Sequence, residues 1–132
     1  MQGMEPVAVV TVLMLVQFFS FAILVGRARV QHDIKPPAVT GNEMFERYFR
    51  IHQNTMEQLV VVLPALWLFA WYVEPWSAAA MGLLFIAGRW IYCSSYAKDP
   101  AKRGMGFGIG NLAQTVLLLG ALIGPVLSWI KG

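Results

Sequence analysis

The sequence predicts an all-α integral membrane protein, a four-helix bundle of up-down topology, and three observations carry that prediction. Of 132 residues, 58% are hydrophobic and 13% are charged, whereas a soluble domain averages about 45–50% and about 25%. Mean hydropathy is +0.59, which excludes disorder. The apolar residues gather into four runs, each near the roughly 20 residues that a helix needs to cross a bilayer. The chain 1–132 therefore reads as a single transmembrane domain. One cysteine and two histidines exclude an internal disulfide framework and the ordinary zinc modules, and no metal site is expected.

The first span, 7–26, reads VAVVTVLMLVQFFSFAILVG and carries no charge. A cleaved signal has its basic residues before the apolar run. Here Glu5 precedes the run and Arg27 and Arg29 follow it, so the span is retained. The stretch 28–42 holds Pro36, Pro37 and Gly41 and is expected to be a loop. The second span, 55–73, is continuously apolar only from Leu59 onward. To cross, it must borrow a turn or two from polar sequence, which brings Asn54 and Glu57 to membrane depth. Glu74-Pro75 makes a turn into the third span, 77–97, which contains Arg89. Asp99-Pro100 supplies a helix cap and a proline suited to the first helical position, so the last helix starts near Pro100. Its span is 105–130, interrupted only by Asn111 and Gln114. The alternating Gly104, Gly106, Gly108 and Gly110 are expected to allow close helix packing.

The charges orient the chain. Arg27, Arg29, Lys35, Arg47 and Arg50 lie around the first connection, and Lys98, Lys102 and Arg103 around the third. The positive-inside rule puts these connections in the cytoplasm and both termini outside. Short connections and the lack of a targeting signal point to a bacterial inner membrane.

Polar residues cluster at the same level. At about 100° per residue, Glu43, Glu46, Arg47, Arg50, Gln53, Asn54 and Glu57 fall within a helical stripe of about 120°. Ionisable groups at membrane depth are costly and mark functional sites, although an Arg–Glu network could also serve packing alone. Arg89, Tyr92 and Tyr96 share one face of the third helix, and Arg103 follows just beyond it. Guanidinium forks grip carboxylates, while a carboxylate and an amide suit an ammonium or a peptide. The constellation suits a small zwitterionic peptide with more than one carboxylate. The lone Cys93 is expected to be a packing residue and His32 a loop residue.

The run Arg50-Ile51-His52-Gln53-Asn54-Thr55-Met56-Glu57 resembles the RxHQNTxE signature of the membrane-associated proteins in eicosanoid and glutathione metabolism, the MAPEG superfamily, and is most similar to the microsomal glutathione transferase branch. Phe45-Glu46-Arg47 before it, and Arg89, Tyr92, Tyr96 and Arg103 after it, fit the same pattern. Val30, where the leukotriene-forming synthases have a second arginine, points away from their specificity. The resemblance implies a homotrimer that binds glutathione as co-substrate between subunits at the cytoplasmic side. It implies that Arg29, Arg50, His52, Asn54, Glu57, Tyr92 and Tyr96 bind glutathione, and that Arg103 stabilises its thiolate. The expected activity is that of a glutathione transferase or peroxidase in detoxification, acting on lipophilic electrophiles or lipid hydroperoxides that arrive through membrane lipid. His52 lies about 160° from the polar stripe by the same wheel, so it can equally be a packing residue.

Two other classes compete with the enzyme. A non-catalytic lipid- or ligand-binding scaffold on the same fold would bind without turnover. A small four-span exporter would need a carboxylate in its first span, and 7–26 has none. No nucleic-acid partner is expected.

Overall fold

A computed structural model of the chain describes residues 2–132. It contains four long helices: α1 (Glu5–Gln31), α2 (Glu43–Tyr72), α3 (Pro75–Lys98) and α4 (Gly104–Lys131), with a single 3-10 turn at Pro100–Lys102 before α4. All four are long and apolar enough to cross a membrane, and no strand occurs among the described residues. At about 1.5 Å per residue each exceeds the roughly 30 Å hydrocarbon core, so the helices project beyond it.

The helices start and stop where local chemistry tells them to. Residues 28–31, expected in the loop, continue α1, because nothing in Ala28-Arg29-Val30-Gln31 opposes a helix. The stop comes at Asp33, whose φ is +53°. The Ile34 N–H bonds to the Arg29 carbonyl at 2.9 Å and the Asp33 N–H to that of Val30 at 3.4 Å, the paired bonds of a Schellman termination. Ile34 then packs with Ala28 and Phe45, which supplies that motif's apolar contact. The Asn42 carboxamide oxygen accepts the Phe45 N–H at 3.0 Å and caps the start of α2. As a result the whole polar stripe belongs to the first turns of a spanning helix. Glu74 caps α3 by accepting the Ser77 N–H and hydroxyl, and these bonds hold its carboxyl below the usual carboxylate range.

Interhelical contacts give the register. Trp67 Nε1 donates to Thr11 Oγ1 at 3.0 Å and His52 stacks on Phe18, so α1 and α2 run antiparallel. Gly88 faces Gly110 and Gly106 faces Tyr92, so α3 and α4 also run antiparallel. Gly120 meets Phe69 and Gly124 meets Tyr72, which makes α2 and α4 parallel, as up-down topology requires. Of the four alternating glycines, Gly106 and Gly110 face α3 from consecutive turns, while Gly104 and Gly108 meet open space. A Cβ on Gly106 would strike the Tyr92 backbone; this close approach puts the start of α4 against the middle of α3.

The largest apolar core fills the half of the bundle that holds the termini, with Val7, Val10, Met14, Leu66 and Phe69 among its members. Two smaller clusters, one around Phe21, Ile51 and Tyr92 and one around Ala28, Ile34 and Phe45, lie toward the basic connections. Many apolar side chains of α4, including Leu112, Leu119 and Leu122, point outward, as lipid contact requires.

Candidate functional site

Three consecutive elements converge at the basic end. α2 brings Arg50 and Asn54, one turn apart. α3 brings Tyr92 and Tyr96, also one turn apart. The turn into α4 brings Arg103, and Phe107 follows one turn later. These six residues line a cavity of about 300 Å³, at the lower end of the roughly 300–1,000 Å³ range of small-molecule sites. The Tyr92 and Tyr96 rings stack with centroids 5.4 Å apart and an interplanar angle of 21°. The Phe107 ring lies 6.4 Å from that of Tyr92. Arg103 donates to the Pro100 carbonyl at 3.1 Å and is otherwise exposed. Arg50 reaches Gln53 Oε1 at 3.3 Å. Asn54 Oδ1 is buried without a hydrogen-bond partner, an unusual condition for a polar atom and one that a donor on a ligand would relieve.

The lining is cationic: two guanidiniums, an amide and two phenols, with no carboxylate among the lining residues. Such a set favours an anion, and the arginine forks favour one carrying carboxylates. The cavity opens to the exterior of the isolated chain, where Arg50, Arg103 and Phe107 are exposed.

Two further arginines lie at this end of the bundle. Arg47 Nη1 donates to the carbonyls of Ala97 at 2.9 Å and Lys98 at 3.1 Å, capping the C-terminus of α3, and its Nη2 pairs with Glu43. Capping of this kind is favourable at a helix C-terminus. It also anchors the turn from which Arg103 projects. Arg89 lies fully buried beneath the cavity and donates to Thr55 Oγ1 at 2.7 Å.

Of the eight residues the sequence singled out, five meet in the cavity: Arg50, Asn54, Tyr92, Tyr96 and Arg103. Three lie elsewhere in the isolated chain. Arg29 donates to the carbonyls of Ala38 at 2.8 Å and Ile34 at 3.2 Å and lies 4.8 Å from the Phe45 ring centroid; here it fastens the first connection. His52 stacks on Phe18, with centroids 4.5 Å apart at 11°, so it faces α1. Glu57 is exposed on the outer side of α2. Phe107 was not singled out; its spacing of four residues from Arg103 was the available signal. Cys93 is a buried free thiol, as expected of a packing residue. Among the described residues, no group of three or more potential metal ligands comes together.

A family model described as MAPEG family matches residues 7–123. The chain is similar to an uncharacterized protein of Synechocystis, with 44% identity over 116 residues covering 88% of this chain and 85% of that protein. It is similar to Microsomal glutathione S-transferase 2 of Homo sapiens, with 41% identity over 116 residues covering 87% of this chain and 79% of the relative. It is also similar to Leukotriene C4 synthase of Cavia porcellus, with 34% identity over 96 residues, 73% of this chain and 64% of the relative.

Proposed function

The chain belongs to the MAPEG family, and on that footing we propose that it is a membrane glutathione transferase that also reduces lipid hydroperoxides. The observation that carries this reading is the cavity in which Arg50, Asn54, Tyr92, Tyr96 and Arg103 meet. Glutathione has two carboxylates, an ammonium, two amides and a thiol, and a cationic cavity with an orphaned amide oxygen matches several of these. Arg50 pairs with a carboxylate of the peptide. Asn54 Oδ1 accepts a peptide or ammonium N–H. The stacked phenols of Tyr92 and Tyr96 flank the peptide.

Arg103 stabilises the thiolate. A free thiol has a pKa of about 8.5 and is mostly protonated at neutral pH. A cation about 4 Å away is worth on the order of 4 kcal/mol at an effective dielectric of 20, part of which desolvation takes back. A net lowering of about one unit corresponds to roughly 1.4 kcal/mol and raises the thiolate fraction severalfold. The thiol proton leaves to water. The thiolate sulfur then bonds to an electrophilic carbon, and the leaving group departs with its electron pair. With a hydroperoxide, the thiolate attacks the distal oxygen. The O–O bond breaks, the alkoxide takes a proton to become an alcohol, and the resulting sulfenic acid condenses with a second glutathione to give the disulfide and water. Lipophilic substrates reach the site through the bilayer.

The active unit in this reading is a homotrimer with glutathione held between subunits. Glu57 supports it: a carboxylate exposed on a spanning helix is costly against lipid and is better placed against a neighbouring copy. Arg29, His52 and Glu57 then act from the periphery of the site or from the adjacent subunit. The basic connections and the site face the cytoplasm by the positive-inside rule.

The test is titration of the detergent-purified protein with glutathione, following thiolate absorbance, and then addition of an aryl halide or a lipid hydroperoxide. Thiolate formation with turnover is the expected result. Binding without thiolate or turnover would make the chain a ligand-holding scaffold, and absence of binding would make the polar signature a packing device.

A further inference from the structure

Arg89 is the largest of the fully buried side chains, at 1% exposure, and it lies within a spanning helix. It has no carboxylate partner: the ion pair formed among the described residues is Arg47 with Glu43. Its Nη2 donates to Thr55 Oγ1 at 2.7 Å, and that hydroxyl donates onward to the Ile51 carbonyl at 2.7 Å. Its Nε has no partner. Its guanidinium lies 4.1 Å from the centroid of the Tyr92 ring.

A buried cation without a counter-charge is expensive, and an apolar side chain of similar volume would serve packing as well or better. Of the two groups that Arg89 touches, one belongs to the cavity wall. Tyr92 lines the cavity directly, and Thr55 adjoins the lining residue Asn54. The cation therefore sits one ring behind a cavity that contains no acid of its own. Positive potential in a low-dielectric interior is weakly screened, so it reaches an anion on the far side of the ring.

We propose that Arg89 is a positioning residue for an anionic ligand in the cavity: it holds the Tyr92 ring from behind and lends positive potential to a cavity that no carboxylate lines. The inference rests on the glutathione reading for the ligand's identity. The ligand supplies the missing counter-charge, and ionising its thiol adds to that charge, so Arg89 favours the thiolate over the thiol.

The test uses the purified full-length protein with glutathione as the probe. Arg89→Met removes the charge at similar volume, and Arg89→Lys keeps the charge without the fork. Three quantities are read: glutathione Kd, thiolate absorbance at saturating glutathione, and the thermal midpoint without ligand. Arg89→Met is expected to weaken glutathione binding about tenfold and to lower the thiolate signal. Its ligand-free midpoint should equal or exceed that of the wild type, because a buried uncompensated charge is gone. Arg89→Lys should recover most of the affinity. Wild-type affinity and thiolate signal in Arg89→Met would overturn the proposal. So would a loss of affinity that tracks a lowered ligand-free midpoint and is not rescued by lysine, since Arg89 would then serve packing. A wild-type protein that binds no glutathione would overturn the glutathione reading and this inference with it, and the wild-type titration shows that before any variant is made.

Discussion

In the half of the bundle that holds the termini, the interior is aliphatic and aromatic: Val7, Val10, Met14, Leu66, Phe69 and Leu117 are buried against one another. In the half that holds the basic connections, the interior contains Arg89 and Thr55, and buried polar atoms of Arg47, Asn54 and Arg89 lack partners, while Gln17 and Gln114 carry such atoms near the middle of the bundle. Both halves also carry cavities. One of about 610 Å³ lies between α1 and α3 at the terminal end, lined by Val9, Val10, Leu13, Trp76, Ala79 and Leu83 among others. The polar one at the other end is half that size. Volume is thus a poor guide to chemistry here. A membrane-facing cleft between spanning helices is ordinary, whereas unsatisfied polar groups at membrane depth persist only where something repays their cost. The terminal half holds most of the apolar core and the basic half holds the candidate site.

This division can be broken experimentally. The largest effect on stability belongs to the terminal half. Leu66 is fully buried, and Leu66→Ala should cost about 2–5 kcal/mol, read as a lower thermal midpoint in detergent. Glutathione Kd in the surviving folded protein should remain that of the wild type. A matching loss of affinity would show that the two halves are coupled.

The largest effect on chemistry belongs to the basic half. Arg103→Ala should leave glutathione binding nearly intact but abolish the thiolate signal and slow turnover by about 100-fold, the scale of losing one charge-stabilising donor. Unchanged thiolate absorbance would remove Arg103 from that role. Arg50→Ala should act on binding instead. Losing a hydrogen bond to a charged group costs about 1.5–3 kcal/mol, or roughly 10- to 100-fold in Kd. Glu57→Ala should also weaken binding, although Glu57 lies outside the cavity of a single chain, if it acts across a subunit interface. Wild-type affinity in both variants would reduce the polar stripe to packing.

How much of this was legible in the sequence depends on the range of each interaction. Arg50 with Asn54, and Tyr92 with Tyr96, are each one turn apart, and helical spacing is local, so their shared faces could be read directly. The polar stripe on α2 straddles the edge of the bundle. Taking Arg50 as zero, Asn54 at about +40° and Arg47 at about +60° turn toward α3, whereas Glu57 at about −20° and Glu46 at about −40° turn away. A wheel tells which residues share a face and not which neighbour that face meets. Arg29 illustrates the same limit: the carbonyls that engage it, on Ile34 and Ala38, come together only once the first connection has folded. The four spans were legible because hydropathy is local. Their ends were not, because α1 and α2 continue through polar sequence until Asp33 and Asn42 supply a stop and a cap.

The smallest effects sharpen the boundary between the halves at a single pair of positions. Gly106 and Gly108 are two residues apart on α4, so they point in nearly opposite directions. A methyl at Gly106 would strike the Tyr92 backbone, while one at Gly108 meets nothing within 4 Å. Gly106→Ala should push α4 from α3, cost about 1–3 kcal/mol as overpacking does, and displace Arg103 relative to Tyr92, lowering the thiolate signal as well as the thermal midpoint. Gly108→Ala should stabilise by about 0.5–1 kcal/mol, because alanine loses less backbone freedom in a helix than glycine, and should leave glutathione binding unchanged. The two variants differ only in where one methyl group points. Equal behaviour would mean that helix flexibility rather than the close approach to Tyr92 sets the position of Arg103, and opposite behaviour would tie the geometry of the site to that one contact.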